Sequence, residues 1–222
     1  MKHYYSIKKQ EIGWAHFQSN PRCQILNELS TITSLERFGH PLAYSCGVYV
    51  PRRSKDHWNS VWSQLVWKVK RHNMRALTFC GAAVALLIEY ELQHLKPYVI
   101  TYVPDAPAQM LFSEDEQCGT ASLASAILVN MRDKEDVSMQ QLLTMVKPKD
   151  KKQHHCRTAR QRRLNVTGCF AVKNPSIVSG RTVIVVDDVI TSGATFSECA
   201  KVLRLAGAAE VYGIFLAKTS GW

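Results

Sequence analysis

The run Thr182-Val183-Ile184-Val185-Val186-Asp187 constrains this chain more than any other stretch. A strand that is apolar on both faces has to be covered on both, so the run predicts the centre of a parallel sheet with helices on either side. The residues after it agree. Phe196, Cys199, Ala200, Leu203 and Ala206 recur at helical spacing, Gly207 closes the stripe, and residues 210 to 217 resume as a strand. Strand, loop, helix and strand make a βαβ unit, so the expected class is α/β with an open, mainly parallel sheet flanked by helices.

Upstream, Trp58, Trp62, Leu65, Val66 and Val69 predict an amphipathic helix capped by Asp56, with the Trp stripe in the core and Lys68 and Arg71 outside. The apolar run from Ala76 to Ile88 is shorter than the roughly 20 residues a bilayer requires, which points to a buried helix over residues 76 to 94. Residues 98 to 103 read as a strand, and a further helix is expected from about Thr120. Residues 137 to 146 are apolar but fit helix and strand equally. Lys147 to Arg163 shows no apolar period and reads as a mobile loop. Residues 168 to 172 read as another strand. Residues 1 to 55 are taken as an N-terminal appendage or hood, and 56 to 222 as the α/β domain.

At 222 residues and 46% hydrophobic, the chain can bury a sizeable core, as one domain with an appendage or as two modest domains. Its first residues lack the pattern of a secretory signal, and its seven cysteines include no Cys-x-x-Cys pair, so reduced thiols in a cytoplasm are expected. The neighbours His154, His155 and Cys156 point apart and lack a second ligand pair at zinc spacing. The net charge of +10 is concentrated. Lys147 to Arg163 holds eight cations against Asp150, and Arg52 to Arg75 holds seven against Asp56. Two basic segments on a slightly acidic body imply an anionic partner, either polyphosphate or nucleic acid.

The apolar strand delivers Asp187 and Asp188 at its carboxyl end, where ligands bind in open α/β sheets. Then Thr191-Ser192-Gly193-Ala194-Thr195 offers hydroxyls, a glycine that permits close backbone approach, and the N–H groups of a helix start. Helix N-termini attract phosphate through those groups and the macrodipole. The segment thus combines a phosphate cradle with two acceptors suited to ribose hydroxyls or hydrated Mg²⁺. The plainer alternative is a turn begun by the two acids and a helix capped by Thr195. The conjunction of both features behind a buried strand favours the site. Receiver domains share the Val-Asp-Asp start but lack the hydroxyl-and-glycine turn.

The segment closely resembles the phosphoribosyl-pyrophosphate motif of type I phosphoribosyltransferases: apolar strand, two acids, two variable residues, then Thr-Ser/Thr-Gly-x-Thr. Arg162-Arg163-Leu164-Asn165-Val166-Thr167-Gly168-Cys169-Phe170 resembles the Arg-x-x-Asn-Val-x-Gly-Ala-Phe stretch of the ComF-like group, named for its link to DNA uptake. The agreement extends upstream to Gln153 and, more loosely, to Leu123-Ala124 and Trp67-Lys68-Val69-Lys70, so the resemblance covers roughly residues 60 to 219, strongly only over 160 to 219.

The resemblance implies that Asp187 and Asp188 hold the ribose hydroxyls, with Mg²⁺ through water or those hydroxyls, and act as the catalytic pair. It puts the 5-phosphate on Thr191, Ser192, Gly193, Ala194 and Thr195, and the pyrophosphate loop at Pro104, Asp105 and Ala106. Lys152, Arg157 and Arg160 become candidates from a flap over the site. The implied reaction displaces pyrophosphate from ribose C1 by a nitrogen nucleophile, where electrostatic placement outweighs a strong base.

Two departures stand out. The zinc module that usually begins the ComF-like group has only Cys23 and Cys46 here, so no zinc finger is expected. The group's Arg-Gly-Phe-Asn-Gln stretch is represented by Cys118-Gly119-Thr120-Ala121-Ser122, and its nearby arginines by Gln109 and Glu114-Asp115-Glu116. Fewer cations beside the pyrophosphate leave two readings open. One is a transferase acting on a nitrogenous acceptor. The other is a non-catalytic protein that senses phosphoribosyl pyrophosphate, or one that binds single-stranded nucleic acid through Lys147 to Arg163. A homodimer is a further expectation, and a membrane partner is not expected.

Overall fold

In the computed structural model, which describes residues 33–34, 42–104, 119–150 and 155–219, the apolar run is the first part of a nine-residue strand, Thr182–Ile190. Val183 to Val186 are completely buried, as an all-apolar strand requires. In chain order the elements before it are β1 Thr33–Ser34, β2 Ala43–Tyr49, α1 Val61–Val69, α2 Met74–Glu91, β3 Tyr98–Tyr102, α3 Gly119–Asn130, β4 Val137–Met139 and β5 Leu143–Met145. Then come α4 Ala159–Val166, β6 Phe170–Val172, the one-turn α5 Pro175–Val178, β7 Thr182–Ile190, α6 Ala194–Leu205 and β8 Glu210–Thr219.

The main sheet has the order β1-β2-β8-β7-β3-β4. Only the β1–β2 pairing is antiparallel; β8, β7, β3 and β4 continue in parallel, with Val183 opposite Val211 on one side and Val99 on the other. β5 and β6 form a separate antiparallel pair. The expected α/β class is therefore observed. One correction concerns the N-terminal side: β2 lies inside the stretch read as an appendage, yet it is a parallel strand of this sheet. Its short polar positions Ser45 and Gly47 break the apolar alternation that would have marked it.

Side chains alternate across a strand, and the two halves of the core divide accordingly. Ile184 and Val186 pack with Trp62, Val66 and the helices α2 and α3, whereas Val183 and Val185 pack with Phe196, Cys199 and Leu203 of α6. α2 and α3 approach closely because Gly81 has no side chain: a Cβ there would come 2.7 Å from the backbone of Ala126. Asn73 starts α2 by accepting the Ala76 amide, so the buried helix begins at Met74 and ends at Glu91. Among the described residues, no helix is long and apolar enough to cross a membrane.

Three local expectations change. α1 is capped by Ser60, because Asp56 belongs to a preceding 3-10 turn, Lys55–Asn59. That turn breaks the helical phase, leaving Trp58 53% exposed while Trp62 is buried. Residues 137 to 146, open between helix and strand, are the two short strands β4 and β5. Within Lys147 to Arg163, residues from Ala159 form α4 rather than loop. Its signal is local and polar: the Thr158 side chain accepts the Gln161 amide and Gln161 accepts the Thr158 amide, a capping box that needs no apolar stripe.

Candidate functional site at the carboxyl end of β7

β7 runs four residues past Val186 before turning, so both acids lie on the strand itself. Consecutive strand residues point to opposite faces. Asp187 follows Val183 and Val185 towards α6, where its charge acts on the Cys199 thiol. Asp188 follows Ile184 and Val186 towards α1, where Lys70 Nζ lies 2.6 Å from its Oδ2. The Asp188 amide donates to Asp187 Oδ1 at 2.8 Å, which holds the Asp187 side chain against the Asp188 backbone.

Their surroundings separate them electrostatically. Burial, and then the charge of Asp188, push the Asp187 carboxyl up to about 7, against smaller opposing effects from the Asp188 amide, Lys70 and Lys149. Lys70 is raised as well, but for the opposite reason: the charge of Asp188 holds its ammonium well above the usual lysine range. The pair thus offers one proton-sharing acid near neutrality and one acid paired with a lysine.

The turn after β7 holds Gly193 at φ 68, a left-handed conformation that favours glycine, and from there α6 begins. No side chain caps the helix, and Ser197 N–H reaches back to Gly193 O at 2.8 Å. Thr195 is therefore inside the first turn and not its cap. Thr191 Oγ1 accepts a 2.7 Å hydrogen bond from Arg162 Nη1, which brings a guanidinium from α4 to the rim of this turn. The base of α4 is tied to α6, since Gly168 N–H donates to Glu198 Oε1 at 2.9 Å.

Beside β7, the end of β3 is held by Val103 N–H donating to Val186 O and by Thr120 Oγ1 donating to Val103 O. Pro104 comes next as a buried residue, so it adjoins the acids through the β3–β7 pairing. Asp105, Ala106 and Lys152 lie outside the described residues. Arg157 and Arg160 are described and exposed, one before α4 and one on it. The two residues that sequence reasoning did not single out as site cations, Lys70 and Arg162, are the ones in contact with the motif. Lys70 is 118 positions from Asp188, and no local pattern signals such a pairing. Arg162 appeared only within the ComF-like stretch.

The two carboxylates suit Mg²⁺ by chemistry: hard oxygen donors, few in number, matching an ion that takes one or two carboxylates and completes its shell with water and ligand phosphate. Among the described residues, no group of three or more His, Cys, Asp or Glu side chains could hold a metal by itself.

No protein-family model matches the chain. It is 42% identical over 65 residues to the DNA utilization protein YhgH of Escherichia coli O157:H7, which is 29% of this chain and 28% of that protein. It is 49% identical over 37 residues to a protein of Lactococcus lactis subsp. lactis strain IL1403 with the provisional name ribose-phosphate pyrophosphokinase 2, which is 17% of this chain and 12% of that one. The chain thus spans well under half the length of these curated relatives. Among solved structures, an allosteric regulatory enzyme of purine biosynthesis aligns over 63% of this chain and 26% of its own, at 19% identity and TM-score 0.40. A hypoxanthine-guanine phosphoribosyltransferase of Bacillus anthracis str. 'Ames Ancestor' aligns over 64% of this chain and 65% of its own, at 15% identity and TM-score 0.39. At such scores the fold rests on the strand order itself.

Proposed function

We propose that this chain binds 5-phosphoribosyl 1-pyrophosphate, or a related phosphorylated ribose, together with Mg²⁺, and transfers the phosphoribosyl group to a nitrogenous acceptor. The observation that carries this is the pairing of Asp187 and Asp188 on the strand end with the Gly193-led start of α6, whose rim at Thr191 is held by Arg162. The carboxylates accept from ribose hydroxyls, while the α6 amides and Arg162 take the 5-phosphate. A ribose held at both ends presents C1 towards Pro104 at the end of β3. The acceptor nitrogen forms the new bond to C1, the C1–oxygen bond breaks, and pyrophosphate leaves with the electron pair. The acceptor's proton passes to solvent or to the departing pyrophosphate. Bound Mg²⁺ would neutralise charge on that leaving group.

The basic segments support the polyphosphate reading over nucleic acid. Lys70 from the first and Arg162 from the second converge on one site, and the charge of Lys149 also acts on Asp187. The name of the Escherichia coli relative supports a role connected with DNA utilization, over the residues it shares.

The test is pyrophosphate release from phosphoribosyl pyrophosphate and Mg²⁺ across a panel of nitrogenous bases. Base-dependent release is the expected result. Binding without release from any base would favour the sensing protein. Oligonucleotide binding that weakens steeply with salt, in the absence of phosphoribosyl-pyrophosphate binding, would favour the nucleic-acid reading.

A further inference from the structure

Lys70 reaches the acidic pair from an element with no part in the motif. It is the residue that ends α1, its backbone N–H bonded to Val66 O, and its side chain is 57% exposed while Asp188 is 14% exposed. An ion pair with one partner so open to water is weak, and it can be exchanged for another anion at little cost.

Its position says which anion it can reach. A Cβ on Gly119 would lie 3.5 Å from Lys70 Cα, so the end of α1 abuts the start of α3. His72 Nδ1 and Ser122 Oγ, 3.2 Å apart, fasten the same two ends together. α3 in turn starts against the end of β3 through the Thr120 hydroxyl and Val103 O. Lys70 therefore stands between Asp188 and the β3 end, the side on which the proposed ligand carries its pyrophosphate. Its neighbour Arg71 is engaged elsewhere, with its guanidinium 3.9 Å from the centre of the Trp67 ring.

We infer that Lys70 is the cation that meets the pyrophosphate end of the ligand, exchanging its contact with Asp188 for one with the leaving group. This rests on the phosphoribosyl-pyrophosphate reading and adds to it a specificity-determining residue. When a ribose hydroxyl donates to Asp188, that carboxylate no longer depends on Lys70 for a partner. The ammonium then turns on its four-carbon stem towards the diphosphate. Lys70 thus rewards a ligand with an anion at C1 and gives nothing to one that lacks it.

Calorimetry with phosphoribosyl pyrophosphate and with ribose 5-phosphate, each with Mg²⁺, separates the two ends of the site. Lys70→Gln is expected to weaken phosphoribosyl pyrophosphate roughly tenfold or more, the scale of one charge-assisted contact, and ribose 5-phosphate by less than about threefold. Lys70→Arg restores most of the loss, and Lys70→Glu deepens it. Equal loss for both ligands, or loss for neither, would overturn the role of Lys70 while leaving the binding reading intact. A wild type that binds neither ligand would sink both.

Discussion

The two layers that cover β7 have similar apolar interiors and different polar ends. On the α6 side, Asp187 continues a face lined by Phe196, Cys199 and Leu203 and meets mainly burial, which raises its carboxyl to about 7. On the side of α1 and α2, Asp188 continues a face equally apolar below, but it meets the Lys70 ammonium at 2.6 Å. Two acids adjacent in sequence thus face different chemistry because a strand turns successive side chains to opposite faces. A pair that reads as one motif is asymmetric in space, with one member suited to share a proton and the other paired with a lysine.

If the layers differ only at their polar ends, their interiors should respond alike. Ile184→Ala on one face and Leu203→Ala on the other are each expected to cost about 2–5 kcal/mol, since both side chains are completely buried. Denaturant unfolding measures this, and a large imbalance would show that one layer is loosely packed. Next in size is Arg162→Ala, expected to weaken ribose 5-phosphate roughly tenfold by removing a charged donor from the rim. Unchanged affinity there would mean that Arg162 serves only to seat α4.

The acids themselves should part company in stability. Asp187 has its carboxyl raised from 3.8 to about 7 in the folded chain, so between those values the folded state holds more protons than the unfolded one. Stability then falls as pH rises from about 4 to about 7 and levels off above. Asp187→Asn should flatten that slope, as followed by urea midpoints across the window. A slope that survives unchanged would place its source elsewhere. The smallest effect is for Asp188→Asn, which strands a lysine that water can still solvate and should cost about 1 kcal/mol or less at pH 7.

The legibility of the molecule tracked the range of its interactions. The centre of the sheet, the helix from Met74 and the turn after β7 were readable because each is written within one stretch, as an all-apolar run or a hydroxyl-glycine turn before a helical stripe. α4 escaped because an exposed helix of charged residues has no apolar period, although Thr158 and Gln161 carried its capping box. β2 escaped because Ser45 and Gly47 interrupt it: Gly47 leaves room for the Trp62 ring, which would lie 2.2 Å from a Cβ there. The cations of the site were the least legible. Lys70 and Arg162 sit among other lysines and arginines in two basic segments, and only the packing of α1 and α4 selects them.

The most direct test of the central claim is calorimetric titration of phosphoribosyl pyrophosphate with Mg²⁺ into the wild type and into the double variant Asp187→Asn/Asp188→Asn. Saturable binding by the wild type, lost in a double variant that still melts cooperatively, is the predicted result. No binding by the wild type, or binding that the double variant retains, would contradict it.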